Sequence, residues 1–415
     1  MQGQVAVIGA GIVGICCAVE LMHAGLDVTL IDKNAPGAET SKGNAGALAY
    51  SEVLPLSRPS TVRNIPHWLT DPLAPLSIRV RDSIGLIPWF VRFVSLCTMK
   101  KVRARMCALR DLNFLARERT DWLLNATSLG SECSEIGVIY PYETEKALIS
   151  SLPDWEIRTE VGVEFTVLKK DELRGIEPAL SPDFHTGILI NTKFWSLIKD
   201  PFAFSAKLTN YAQEHGVNVI NEEVIEIQPT SHNVCITTGN KGELCCETAV
   251  IATGPWSKRM TAILGDRVLL SAERGYMTTL PNPQIALSHM LVFKKYGFVA
   301  TPLAMGIRVG GGGEIASLDA PPNYKRAANF VQRARAFLPG LNDASGEVWM
   351  GSRPSTPDSL PVISRSPRSA RIFYAFGHGH LGLTQAAGTG LLIAQLVQGN
   401  KTSIATEPFS ITRFN

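Results

Sequence analysis

Val5–Ala6–Val7–Ile8–Gly9–Ala10–Gly11–Ile12–Val13–Gly14 is an apolar run breaking into glycines spaced G-x-G-x-x-G. Ala18 and Gly25 follow at helical spacing, and a second apolar run, Val28–Thr29–Leu30–Ile31, ends on Asp32. The pattern reads as strand, helix and strand over residues 1–35. Gly9 is expected to turn the chain sharply, and Gly11 to let backbone approach a pyrophosphate. Gly14 with Ala18 should let helix and strand pack closely. A helix starting near Gly11 would aim unpaired N–H groups and its positive dipole end at phosphates. Asp32 can accept two hydrogen bonds from an adenosine ribose. A lone glycine fingerprint can be only a turn, but strand, helix, second strand and terminal acid together favour dinucleotide binding. The expected contacts here are Gly9, Gly11, Ile12, Val13, Gly14, Asp32 and Lys33.

At 415 residues the chain is long enough for two or three folding units. A 45% hydrophobic and 19% charged composition describes an ordinary globular enzyme. The net charge of +3 is too small to argue for nucleic acid, and no nucleic-acid-binding signature occurs. Cys16, Cys17, Cys97, Cys107, Cys133, Cys235, Cys245 and Cys246 form neither C-x-x-C nor a metal-ligand spacing with histidine. That usage fits a reduced compartment, and no metal is expected. The N-terminus lacks a basic segment before its apolar run, so no signal peptide is expected. Apolar stretches fall short of the roughly 18 residues a membrane span needs. A cytoplasmic location follows as the expectation. Residues Ile84 to Met106 read two ways: a helix packed on its own domain, or a basic amphipathic segment lying on anionic lipid at the inner membrane face.

Residues 50–80, with five prolines, read as an irregular connector, and 81–129 as helical. Gly137–Pro141 reads as a strand, and Pro201 to Gly216 as a helix capped by Asp200. Val217–Ile220, Val224–Ile227 and Ala249–Ala252 read as the dinucleotide unit resuming. Residues 266–320 read as short antiparallel strands bounded by Pro281, Pro283 and the run Gly310 to Gly313, followed by a helix near 323–337.

Both NAD and FAD can occupy the opening unit, and two further segments favour FAD. In Thr40–Ser41–Lys42–Gly43–Asn44–Ala45–Gly46, small residues admit an extended cofactor while hydroxyls and amide offer donors. The segment Gly377–His378–Gly379–His380–Leu381–Gly382–Leu383–Thr384 opens a small-residue helix. Its N-terminus would stabilise negative charge on a reduced flavin. Either segment could also be a glycine-rich surface loop. With only one G-x-G-x-x-G, a separate NAD(P)H site is not expected.

These segments, with Ala252–Thr253–Gly254–Pro255–Trp256–Ser257, Arg274–Gly275–Tyr276 and Trp349-Met-Gly-Ser-Arg-Pro-Ser-Thr-Pro-Asp-Ser-Leu-Pro361, resemble the FAD-dependent D-amino-acid dehydrogenases of the D-amino-acid and glycine oxidase group. The resemblance covers nearly the whole chain. It implies an α/β fold: a Rossmann-like FAD-binding domain interwoven with a substrate domain built on an antiparallel sheet plus helices, of D-amino-acid oxidase type. The expected division assigns 1–80, 150–265 and 345–415 to the FAD domain, and 81–149 and 266–344 to the substrate domain. The resemblance implies non-covalent FAD and oxidation of a D-amino acid to an imino acid. Ala272–Tyr276 and Arg308–Pro322 lean toward members acting on D-hydroxyproline or D-proline.

Arg353 matches the position that binds substrate carboxylate in the resembled family, and its planar fork suits that bidentate task. A structural salt bridge is the alternative. Tyr276 and Tyr296 could reach the carboxylate or be core tyrosines. His378 and His380 could contact flavin or substrate, or be structural. The FAD contacts expected beyond the opening unit are Thr40, Ser41, Lys42, Asn44, Ala45, Gly46, Val224, Thr253, Gly254, Trp256, Gly351, Arg353, Gly377, His378, Gly379, His380, Leu381, Gly382, Leu383 and Thr384. Lys42 departs from the apolar residue usual in its loop. Electrons would pass to a quinone or another acceptor, and an oligomer is compatible with the chain. Two rivals stay open: an oxygen-using glycine- or sarcosine-type oxidase, and a non-catalytic flavin subunit of a hetero-oligomer. A flavin monooxygenase is disfavoured, because Ala252–Trp256 replaces the acidic segment those enzymes use.

Overall fold

The computed structural model describes residues 4–62, 76–79, 84–240 and 242–415. Its first layer is a six-stranded sheet ordered Asn218–Asn221, Asp27–Asp32, Gln4–Ile8, Thr248–Ile251, Ile372–Phe376, Val362–Arg365. The first five strands run parallel and the last antiparallel. The inner strands are continuous apolar runs because both faces are covered, one by the helices Ile12–His23 and Gly382–Val397, the other by a smaller sheet whose Val224, Ile227, Val234 and Ile236 pack on Ala6, Ile8, Ala249 and Ile251. Val7, Leu30, Val250 and Ile372 are accordingly buried. Asp200 caps the helix Pro201–Glu214, accepting from the N–H groups of Phe202 and Ala203, each at 3.0 Å.

Small residues let three helices approach backbone to backbone. A Cβ on Gly390, in the helix Gly382–Val397, would lie 2.6 Å from the Cys16 carbonyl oxygen of the helix Ile12–His23. One on Gly388 would lie 2.9 Å from Ala116 Cα in the long helix Met99–Ala126. Cys16 and Cys17 are buried fillers in this contact, and burial pushes both thiols far up.

The second layer is a nine-stranded, largely antiparallel sheet. Its path is Glu347–Ser355, Ser271–Leu280, Gly306–Ile315, Phe298–Leu303, Met290–Phe293, Val138–Tyr142, Thr186–Ile190, Thr166–Lys169, with Leu76–Ile78 paired onto Gly306–Ile315. This membership moves the expected domain boundaries. Thr166–Lys169 and Thr186–Ile190 fall in the stretch expected to bind cofactor, yet they extend this sheet through Val138–Tyr142. Ile139, Leu168, Leu173 and Phe184 thereby bury one another. Glu347–Ser355 likewise pairs along Ser271–Leu280.

Two other expectations change. Val224–Pro229 does not join the parallel sheet but forms a three-stranded antiparallel sheet with Val234–Thr238 and Gly242–Cys246. The Gly310–Gly313 run lies inside the strand Gly306–Ile315 rather than bounding it. There, a Cβ on Gly310 would meet the Tyr276 carbonyl oxygen at 2.1 Å, at a register shift opposite Arg274 and Tyr276. Pro66, Pro72 and Pro75 of the expected connector lie outside the described residues.

The helix Ile87–Ser95 shows both faces that the sequence left open. Trp89 and Phe93 are buried, while Ile87, Val91 and Val94 are exposed beside Arg92. Among the described residues, no helix is long and apolar enough to cross a membrane.

Candidate functional site

The strand Gln4–Ile8 ends at a cavity of about 180 Å³, on the side where the Gly9–Gly14 fingerprint was expected to receive phosphates. Gly9 holds φ +104°, and a Cβ there would lie 2.5 Å from the Ala252 carbonyl oxygen. A Cβ on Gly14 would lie 1.8 Å from Gly9 O, so the helix Ile12–His23 starts hard against the strand exit. Gly11 is different: its Cβ would meet only Ser41 Oγ, at 3.6 Å, which leaves backbone approachable from the cavity. Asp32 is fixed by two backbone donors, Ala10 N–H to Oδ2 at 2.7 Å and Asn34 N–H to Oδ1 at 2.9 Å. The carboxylate therefore faces the cavity in one orientation, with lone pairs left for hydroxyl donors.

Of the expected cofactor residues, Gly9, Gly11, Ile12, Val13, Asp32, Lys33, Thr40, Ser41, Val224, Thr253, Gly254, Trp256, His378, Gly379 and Gly382 line this cavity. Glu222, Glu223, Arg259 and Phe376 line it as well and were not anticipated. The donor set fits a dinucleotide such as FAD: an acid for ribose, open backbone at a helix start for pyrophosphate, and Trp256 as an apolar wall.

The remaining expected contacts are not on that wall, and the structure gives most of them a different task. Lys42 is exposed, with Nζ 5.3 Å from the Phe202 ring centre. Asn44 shapes its own loop, donating to Ser41 O at 2.6 Å and accepting from Gly46 N–H at 2.7 Å. Gly46 sits at φ +72°, where a Cβ would lie 2.5 Å from Ile198 O, and Ala45 packs on the core. Thr384 is a buried crosslink, accepting from Ala49 N–H at 2.9 Å and donating to Ala47 O at 3.3 Å. Leu381 and Leu383 pack in the core, and Gly377 turns the chain at φ +86°. Gly351 lies under the Trp349 indole, which also covers Gly43.

Arg353 is held by the second sheet. Its Nη1 donates to Glu273 Oε1 at 2.9 Å and to Gly312 O at 2.8 Å. Glu273 stands directly opposite it in strand register, and Glu273 Oε2 accepts from Ser355 Oγ at 2.8 Å. The guanidinium lies over Gly275, where a Cβ would come within 2.4 Å of Nη2. One side of the fork is thus anchored in an ion pair, the structural role that the sequence left open. Nε and Nη2 make no hydrogen bond among the described residues, so one edge remains for a bidentate acceptor.

The two histidines differ. His378 is buried, its Nε2 is 2.9 Å from Thr389 Oγ1, and burial pushes its pKa down to about 3. Its ring is neutral and held on Thr389 at the lining of the cavity. His380 is exposed on the turn Gly379–Leu381. Burial lowers its pKa; the charges of Glu273 and Glu52 oppose this and Arg353 reinforces it.

Both tyrosines are corrected too. Tyr276 is fully buried, donates to Glu314 Oε2 at 2.6 Å and accepts from Asn323 N–H at 2.9 Å. Its hydroxyl is satisfied within the sheet. Tyr296 donates to Glu143 Oε1 at 2.5 Å and packs on Phe337, with ring centroids 4.9 Å apart. Neither lines the cavity.

Sequence reasoning missed Glu273 and Glu52. Glu273 sits within the quoted Ala272–Tyr276 stretch, and only its register opposite Arg353 gives it meaning. Burial alone would raise the Glu52 carboxyl, but Arg158, His380, Tyr140 and Lys294 together hold it below the usual range.

Comparison with known proteins bears on this geometry. Residues 4–396 match the DAO family model, described as FAD dependent oxidoreductase. The chain is 35% identical over 418 residues to a protein of Bradyrhizobium diazoefficiens named D-amino-acid oxidase, covering 99% of both chains. It is 29% identical to a D-amino acid dehydrogenase of Rhizobium rhizogenes, covering 99% of this chain and 100% of that one. Among solved structures, glycine oxidase from Geobacillus kaustophilus superposes with a TM-score of 0.72 at 23% identity, covering 99% of each chain.

Proposed function

The chain belongs to the DAO family of FAD-dependent oxidoreductases, and from that membership we propose that it oxidises a D-amino acid at Cα, with Arg353 gripping the carboxylate. The observation that carries the reading is the free Nε and Nη2 edge of a guanidinium anchored by Glu273 and laid over Gly275. Bound FAD would supply the acceptor for a hydride from the substrate Cα. Asp32 and the backbone of Gly11 to Val13 would hold its ribose and pyrophosphate.

The chain's own part is orientation. Two parallel hydrogen bonds from Arg353 fix the carboxylate plane, so the substrate loses rotational freedom before reaction. His380, whose pKa is lowered by burial, can accept a hydrogen bond from the substrate amine. The imino acid then hydrolyses to a 2-oxo acid and ammonia, or remains a cyclic imine where the amine is secondary.

A narrower form of the reading takes a cyclic amine such as D-hydroxyproline or D-proline, and what supports it is the Ala272–Tyr276 and Arg308–Pro322 pattern. A quinone is the proposed acceptor. Support for contact with an anionic membrane face comes from exposed Ile87, Val91 and Val94 beside Arg92, Lys100 and Lys101. The deciding experiment is anaerobic titration of the purified yellow protein with D- and L-amino acids, including both hydroxyproline epimers. Bleaching by D-epimers supports the reading, and bleaching by none of them ends it. Turnover with a dye, with and without oxygen, separates dehydrogenase from oxidase.

A further inference from the structure

The three-stranded sheet Val224–Pro229, Val234–Thr238 and Gly242–Cys246 has one covered face and one open face. Val234 and Ile236 are buried in one cluster with Ala6 and Ile8 of the parallel sheet. Side chains alternate along a strand, so Cys235, Glu243 and Cys245 share the outer face. Cys235 stands directly opposite Cys245 in register, although the two are ten positions apart in sequence. Their Sγ atoms lie 3.0 Å apart, and a Glu243 carboxylate oxygen lies within 4.8 Å of both. Cys245 is exposed and Cys235 half-buried.

The other thiols are placed differently. Cys16 and Cys17 are sealed between helices, and Cys246 is buried, donating to Val234 O at 3.6 Å. Cys107 is exposed, but among the described residues Cys235 and Cys245 form the one thiol pair in hydrogen-bond contact. Directly opposed residues of an antiparallel pair have Cα atoms about 4.5–5.5 Å apart, within the range a disulfide spans. Cys245 and Glu243 hold the Cys235 proton and push its pKa up to about 12, which leaves Cys245 as the nucleophile of the pair.

We propose that Cys235 and Cys245 form a reversible oxidative modification site whose co-reactant is a hydroperoxide, hydrogen peroxide being the simplest. The Cys245 sulfur attacks one peroxide oxygen and the O–O bond breaks, giving a sulfenic acid on Cys245 and one water. The Cys235 sulfur then attacks the Cys245 sulfur. The S–S bond forms, the S–OH bond breaks, and the hydroxide leaves with the Cys235 proton as a second water. Two electrons pass from the thiols to one peroxide. A reduced dithiol restores both thiols by exchange, which makes the crosslink transient in a reducing compartment. None of the three residues lines the cofactor cavity, so the proposal stands apart from the amino-acid reading above.

The test uses the FAD-loaded protein, reduced with dithiothreitol, desalted and given a small molar excess of hydrogen peroxide without substrate. Timed alkylation and peptide mass mapping follow each cysteine, with exposed Cys107 as the internal control. The Cys235 and Cys245 peptides should become linked, with loss of two hydrogens in intact mass, at least about tenfold faster than Cys107 is oxidised. Dithiothreitol should release them. In Cys235→Ser, Cys245 lacks its resolving partner and should be trapped by dimedone as the sulfenic acid. Wild type should give little of that adduct, because the crosslink forms first. A wild-type pair that forms no link within one chain, or links no faster than Cys107 is oxidised, overturns the proposal. Dimedone labelling of Cys245 no greater in Cys235→Ser than in wild type overturns it as well.

Discussion

Gly275→Ala is expected to remove substrate binding while leaving the fold intact. The new Cβ would lie 2.4 Å from Arg353 Nη2 and 2.8 Å from Cζ. Ordinary contacts begin near 3.5 Å, so the guanidinium must withdraw by about 1 Å. It can do so because it is the end of a flexible side chain, and the three atoms nearest the new Cβ all belong to it. Gly275 also lies in a paired strand rather than at positive φ, so alanine is locally acceptable and the melting temperature should move little. A displacement of about 1 Å in an orienting group costs roughly 100-fold, or about 2.7 kcal/mol of transition-state stabilisation. Steady-state kcat/KM with the best D-amino acid measures the loss. Titration of the bound flavin with a competitive carboxylate, followed by absorbance, should show weaker binding in the same variant. Retention of kcat/KM within about threefold, in a variant of normal flavin content, would refute the assignment of Arg353 as the carboxylate anchor.

Asp32→Ala should weaken FAD binding by about 2–3 kcal/mol, since it removes a charged acceptor already oriented by Ala10 and Asn34; flavin-to-protein absorbance after dialysis measures it. His378 is neutral when folded, with its pKa depressed from 6.5 to about 3, so its contribution to stability is present above pH 6.5 and lost as pH falls toward 3. Thermal melts should show a loss approaching about 1.4 kcal/mol per pH unit in that window, and His378→Gln should remove this component. Gly390→Ala should destabilise by about 1–3 kcal/mol, because the methyl group meets the Cys16 carbonyl rather than a movable side chain; chemical denaturation reads it. Lys42→Met should change flavin absorbance and turnover by less than about twofold, as that side chain lies over Phe202.

Sequence alone determined the features encoded by neighbouring residues. Gly9 turns the chain and Gly14 brings helix against strand as their spacing implied, and Asp32 stands at the end of the next strand. Asp200 caps its helix as expected, and the Gly377–Thr384 turn opens a small-residue helix whose glycines meet Cys16 and Ala116. Such readings succeed because turn geometry, capping and helix packing depend on backbone conformation a few residues away. Side-chain roles did not follow in the same way. Tyr276 and Tyr296 both look like pocket walls in sequence, yet Glu314 and Glu143 claim their hydroxyls. His378 and His380 are two residues apart and face opposite fates, one buried and locked on Thr389, the other exposed on its turn. Only tertiary structure decided that Arg353 faces Glu273 across 80 residues of chain, or that Arg158 meets Glu52 and Lys294 meets Asp154. Strand register and domain packing create those pairings, and they depend on contacts between segments that no local spacing encodes.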